Sequence, residues 1–258
     1  MDTIGMAGKP SDTTRSRTRR PRCSFLANCA FVSIDLQESA RGYLSEQSLP
    51  GTWRQMGFTV ADCNAAIDYL HDTALPNARR VADACRALHL PMIFVHWGYQ
   101  FRDAMDLAPD VYQAFTRDIG SDTTRWPHHI SSADSRAAEA LGVRPGEYVL
   151  AKADQDAFGS CNIHFVLQNL RARSIVFVGG HTEGCLRRTA LSAHRLTYRT
   201  LCVADATFNA RESARLTAIE ESKFDYVMTT DEFADWARQV AERPAGGRRS
   251  RRGDSEAG

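Results

Sequence analysis

The chain has 258 residues, a formal net charge of +1 and 43% hydrophobic residues. That length suits one α/β domain with a sizeable core, and the near-zero charge supplies no overall field to attract nucleic acid or a membrane surface. No apolar run approaches the roughly 18–20 residues of a membrane span, and the seven cysteines, Cys23, Cys29, Cys63, Cys85, Cys161, Cys185 and Cys202, include no CxxC pair, which argues against a zinc ribbon or disulfide scaffold and for a reduced, cytoplasmic setting.

The ends lack apolar periodicity. Residues 1–24, with "SRTRRPR", and 243–258, with "GGRRSRRGDSEAG", are expected to be disordered basic tails flanking one domain over 25–242. Inside it, six short apolar runs recur in chain order: "CAFVSID" (29–35), "PMIFVHW" (91–97), "EYVLAK" (147–152), "SIVFVGG" (174–180), "RTLCVADA" (199–206) and "DYVMTT" (225–230). Each is continuous rather than alternating, as strands buried on both faces are. Between them, 74–90 sets Ala78, Val81, Ala82, Cys85 and Leu88 on one helical stripe, and 165–172, 185–196, 212–224 and 230–242 are further helices. Strand and helix in alternation predict a three-layer αβα fold around a six-stranded, parallel, doubly wound (Rossmann-like) sheet. Residues 36–73 and 99–146 read as long irregular connections, which in such folds build the ligand crevice.

Ligands of a parallel sheet sit at the carboxyl ends of its strands. The first run ends at Asp35, the third at Lys152, and the fourth leads through a glycine turn to Cys185 at a helix start. Separately, each has a structural use: Asp35 can cap a turn, Lys152 can pair with Asp154 or Asp156, and Cys185 can fill a buried helix start. Together they form a nucleophilic constellation without histidine. The helix N-terminus and Lys152 are expected to favour the thiolate, Asp35 to accept and return a proton, and backbone N–H groups at the helix start to hold an oxyanion.

The pieces "FVSIDLQ", "VLAKADQDAF", "IVFVGGHTEGCLRRTALSA" and "LCVADAT" resemble, in order and spacing, the isochorismatase-like cysteine hydrolases over residues 27–235. The resemblance implies the six-stranded sheet, an Asp35-Lys152-Cys185 triad, and a cis peptide at Gly180–His181. It also implies an oxyanion hole of N–H groups near His181 and at Cys185, and a homodimer or homotetramer. The retained Cys185 favours the branch that hydrolyses C–N bonds of amides, ureides or carbamoyl compounds, with no cofactor. The alternatives are the vinyl ether hydrolases of the family and a non-catalytic interaction protein on the same fold. No Asp-x-His pair lies between residues 36 and 127, so no metal is expected, and His128 and His129 of "RWPHHI" are read as ordinary loop residues.

Gln37, Trp97 and Gln100 follow the first two strands, and "HWGYQF" is similar to the site-lining stretch of ureidoacrylate hydrolases. Phe158 stands where the family packs an aromatic beside the substrate. Gln37, Trp97, Gln100, Phe158 and Glu183 are therefore candidate substrate-binding residues, though Trp97 also suits a core position. His181 and Glu183 either face substrate or bond within the turn. Trp53 and Tyr43 are candidate lid residues. The expected partner is a small-molecule amide, with no nucleic acid and no membrane.

Overall fold

A computed structural model of the chain describes residues 20–38 and 43–242. Its strands are β1 (Cys29–Ile34), β2 (Met92–Trp97), β3 (Tyr148–Lys152), β4 (Ser174–Gly179), β5 (Arg199–Thr207) and β6 (Tyr226–Met228). All pair in parallel, in the order β3-β2-β1-β4-β5-β6. The central strands β1 and β4 are buried along their whole length, which is why their sequences are apolar without alternation.

The helices are α1 (Gly51–Gln55), α2 (Val60–Tyr69), α3 (Leu75–Ala87), α4 (Pro109–Asp118), α5 (Ala157–Ser160), α6 (Ile163–Asn169), α7 (Cys185–Arg195), α8 (Glu212–Glu221) and α9 (Thr230–Ala241). Against one sheet face, Ala78, Val81 and Cys85 of α3 and Phe233 and Trp236 of α9 pack with Phe31, Phe94 and Val176. Against the other, Ile163 and Leu167 of α6 and Leu186, Ala190 and Ala193 of α7 pack with Val32, Ile93 and Phe177. Each fully buried Val, Ile or Phe contributes about 1.5–3 kcal/mol of transfer free energy. The three layers follow.

The two connections are less irregular than the sequence suggested. Residues 36–73 contain α1 and α2, and α2 runs through a π turn at Leu70–Ala74 into α3. Thr59 starts α2 by accepting from the Asp62 N–H at 3.1 Å, the hydrogen bond that an N-cap residue supplies. Only Cys63 and Ala66 of α2 are buried, so it shows no apolar stripe. Residues 99–146 contain α4, which begins at Pro109 and lays Val111, Tyr112 and Phe115 on a small core of Tyr99, Leu107 and Trp126.

Packing begins before residue 25: Pro21 is buried, and the turn Cys23–Asn28 buries Phe25 and Leu26. The expected tails lie outside the described residues apart from 20–24. Among the described residues, no helix is long and apolar enough to cross a membrane. The strand order reverses direction between β1 and β4, and the crevice of a doubly wound sheet opens at that switch point.

Candidate active site

Asp35 is the residue after β1 and takes a left-handed conformation, φ 52°. Aspartate tolerates this region better than most residues do. The bend ends the strand and delivers the carboxylate to Lys152, the last residue of β3, with Nζ–Oδ2 2.8 Å. Lys152 is 0% exposed and the Asp35 side chain 8%. Lys152 Nζ also donates to the Asp154 carbonyl at 3.2 Å and lies 4.4 Å from the centre of the Trp97 ring. A buried ion pair is an expensive structural device, so its place at the switch point points to chemistry.

Cys185, the first residue of α7, is buried and within hydrogen-bonding reach of both charged groups. Burial pushes its thiol up from 9.0 to about 12, and the Asp35 charge adds to the rise; Lys152 pulls the other way and loses. Lys152 favours the thiolate as expected, but desolvation outweighs its pull. Burial also works against the Lys152 ammonium, but Asp35 and Cys185 outweigh it and its pKa ends above the ordinary value. The Cys185 thiol, held that high, is protonated at neutral pH. Asp35 Oδ1 is buried without a hydrogen-bond partner among the described residues, so one oxygen of the carboxylate is held by lysine and the other is unspent.

The turn that brings Cys185 to this place depends on two glycines. Gly179 has φ 102°, and a Cβ there would stand 2.0 Å from the Ile34 carbonyl; one at Gly180 would stand 2.4 Å from the Phe208 carbonyl. The Gly180–His181 peptide is cis. The His181 carbonyl accepts from the N–H groups of Gly184 and Leu186 at 3.0 and 3.1 Å. The N–H groups of His181 and Cys185 donate to no carbonyl among the described residues, which leaves them available to an oxyanion. Burial pushes the His181 imidazole below its ordinary pKa, and its ring lies 4.7 Å from that of Phe208 and 6.2 Å from that of Trp53.

The other sequence candidates fall unevenly. Trp97 is half-buried and its ring faces the Lys152 ammonium. Gln37 is not free to bind substrate: its Nε2 donates to the carbonyls of Trp97 (3.0 Å) and Asp134 (2.8 Å), and its Oε1 accepts from the Trp97 N–H (2.7 Å). It clamps the end of β1 to that of β2. Phe158, in α5, packs its ring 5.8 Å from Tyr198 and 6.0 Å from His164; the N–H of its neighbour Ala157 donates to Thr189 Oγ1 at 3.1 Å, one turn along α7 from Cys185. Gln100 is exposed, and among the described residues no hydrogen bond of its side chain reaches Asp35, Lys152 or Cys185.

Glu183 bonds to residues after β5 rather than within its own turn. Trp53 reaches the site through His181, whereas the exposed Tyr43 donates to Asp68 at 2.6 Å. His129 engages Ser131 and the Gln100 carbonyl; His128 pairs with Asp134 at 3.0 Å and is pushed down by burial. Among the described residues no group of three or more His, Cys, Asp or Glu is placed to hold a metal ion. Sequence reading missed Phe58, which packs on Trp53, Phe208, which packs on His181, and Asn209 and Arg211, which bond to Glu183. The only local signal was the polar "FNAR" directly after β5.

A parallel sheet whose switch point gathers a buried Asp–Lys pair and a helix-start thiol marks this chain as an α/β protein of the doubly wound class. The Isochorismatase domain family model matches residues 29–232, and the chain belongs to that family. It is 28% identical over 122 residues to an N-carbamoylsarcosine amidase of Arthrobacter sp., covering 47% of this chain and 44% of that protein. It therefore spans less than half the length of that relative. It is 25% identical over 227 residues to the ureidoacrylate amidohydrolase RutB of Pseudomonas syringae pv. syringae (strain B728a), covering 79% of this chain and 81% of the relative. A crystal structure of a cysteine hydrolase from Pseudomonas syringae pv. phaseolicola 1448A shares the fold, with a TM-score of 0.62 at 15% identity, covering 91% of this chain and all of that one (100%).

Proposed function

We propose that the protein hydrolyses a C–N bond of a small amide, ureide or carbamoyl compound through a thioester on Cys185. The observation that carries this reading is the buried Asp35–Lys152 pair at 2.8 Å beside a thiol at a helix start. The amidase and amidohydrolase names of two relatives support the same bond class.

The chemistry follows from the charges. Asp35 takes the Cys185 proton as sulfur attacks the carbonyl carbon, so the high thiol pKa is met by a base in place rather than by a standing thiolate. The carbonyl oxygen becomes an oxyanion held by the N–H groups of His181 and Cys185. As the intermediate collapses, the C–N bond breaks and Asp35 passes its proton to the leaving nitrogen, which departs as ammonia or an amine. Water then attacks the thioester, Asp35 takes the water proton, and the acid product leaves as sulfur recovers a proton from Asp35. Lys152 keeps Asp35 oriented throughout.

The test is release of ammonia or amine from a panel of ureides, carbamoyl amino acids, biuret and aliphatic amides. Wild type is expected to turn over at least one, and Cys185→Ala and Asp35→Asn to lose it by about 10⁴-fold or more. Activity that survives in Cys185→Ala contradicts the thioester.

A further inference from the structure

The Lys152 ammonium meets four groups. Its Nζ is 2.8 Å from Asp35 Oδ2, donates to the Asp154 carbonyl at 3.2 Å and lies within hydrogen-bonding reach of Cys185, so its three N–H groups face a carboxylate, a carbonyl and a thiol. The Trp97 ring, its centre 4.4 Å away, is the fourth. Trp97 and Lys152 are register partners at the ends of β2 and β3, so both side chains leave the same face of the sheet. The Trp97 backbone is pinned. Its N–H donates to Gln37 Oε1 at 2.7 Å, and its carbonyl accepts from Gln37 Nε2 at 3.0 Å and from Ser135 Oγ at 3.1 Å. The ring is thus seated by the strand ends as well as by its apolar neighbours.

The four groups differ in what the reaction does to them. In the resting site the Asp35 carboxylate matches the Lys152 charge. Once sulfur has attacked and Asp35 has taken the thiol proton, the carboxyl and the sulfur are both neutral, and the negative charge has moved to the carbonyl oxygen. Lys152 is 0% exposed, so it cannot turn to bulk water instead, and an uncompensated buried charge is costly. Its charge also acts on His96, Cys161 and His181, but burial keeps each of these uncharged at pH 7. Of the four groups, the Asp154 carbonyl and the Trp97 ring keep their polarity throughout. A desolvated ammonium against an indole face is the stronger form of that contact. We infer that Trp97 is a positioning residue: its ring holds the Lys152 ammonium in place while Asp35 is protonated, so that the cation is there when Asp35 passes the proton to the leaving nitrogen. The stage of the reaction rests on the hydrolase reading above; the hold of the ring on the ammonium does not.

The neutral-partner stage can be reproduced without substrate in the double variant Asp35→Asn/Cys185→Ala. The chain has three lysines, Lys9, Lys152 and Lys223, so lysine labelled with carbon-13 at Cε lets NMR follow the titration of Lys152 directly. In this background Trp97→Leu is expected to lower the Lys152 midpoint by about 1–2 pH units, and Trp97→Phe to lower it less. A ring-fluorinated tryptophan in place of Trp97 weakens the negative ring face at nearly constant volume. It is expected to lower the midpoint in step with the number of fluorines, and it serves should Trp97→Leu fail to fold. With Asp35 and Cys185 intact, on the best substrate of the panel, Trp97→Leu is expected to lower kcat about tenfold with KM changed by less than about twofold. A midpoint indifferent to leucine and to fluorination overturns the inference. So does a KM that rises with kcat intact, which would place the ring against the substrate. An unmoved midpoint in a protein that hydrolyses ureides removes only this inference. A midpoint that falls with fluorination in a protein inert to the whole panel supports the hold of the ring and removes the hydrolase reading.

Discussion

At the residue scale, the account turns on how one carboxylate divides its work. Asp35 gives Oδ2 to Lys152 and keeps Oδ1 unpartnered; its charge also helps to hold the Cys185 thiol protonated. Removing that charge leaves Lys152 as the nearby ion, which lowers the thiol pKa. Asp35→Asn is therefore expected to move the pH profile of Cys185 alkylation by iodoacetamide toward lower pH, with a rate about tenfold higher at pH 8, while hydrolysis is lost. A profile that stays in place or moves to higher pH contradicts the arrangement; circular dichroism checks that the broken pair has not unfolded the protein. The convergence of Asp35, Lys152 and Cys185 was legible because each marks the end of a strand or the start of a helix. The partners of Gln37 and Glu183 were not. They come from Asp134 and from Asn209 and Arg211, far along the chain, and no local spacing announces them.

At the scale of elements, the junction of β4 and α7 is the part that tolerates least. Gly179 sits at φ 102° with the Ile34 carbonyl 2.0 Å from where a Cβ would be. The strand pair β1–β4 closes on that glycine, so any side chain pushes the end of β1, and with it Asp35, away from Lys152. Gly179→Ala is expected to cost about 3 kcal/mol or more, a fall in Tm of about 6–12 °C, together with most of the activity. An unchanged Tm in a calorimetric scan would show that the strand ends are softer than described. The strands themselves were readable because burial on both faces leaves an unbroken apolar signature. The helix α2 was hidden because tertiary packing uses little of its surface, although "TVAD" carried its cap. The helix α4 was hidden within a long connection, although Pro109 stands at its first turn, where proline is favoured.

At the scale of the whole molecule, the sheet order β3-β2-β1-β4-β5-β6 puts the ends of β1 and β4 side by side at the switch point, with the end of β3 two strands away. Lys152 is long enough to cross β2, over the Trp97 ring, to reach Asp35. The segments that sequence reading left as irregular supply the rest of the enclosure: Trp53 and Phe58 from the α1 region and the aromatic cluster beneath α4. Alternation of strands and helices was enough to foresee the layers, whereas the enclosure depends on contacts between segments that no periodicity records. The central claim is that the reacting carbonyl becomes bonded to Cys185. The most direct measurement is acid quenching during turnover of the best substrate, followed by mass mapping of the Cys185 peptide. The account predicts an acyl group on Cys185 that forms and decays at rates matching turnover, and its absence in Asp35→Asn. Steady turnover with an unmodified Cys185, retained in Cys185→Ala, would contradict it.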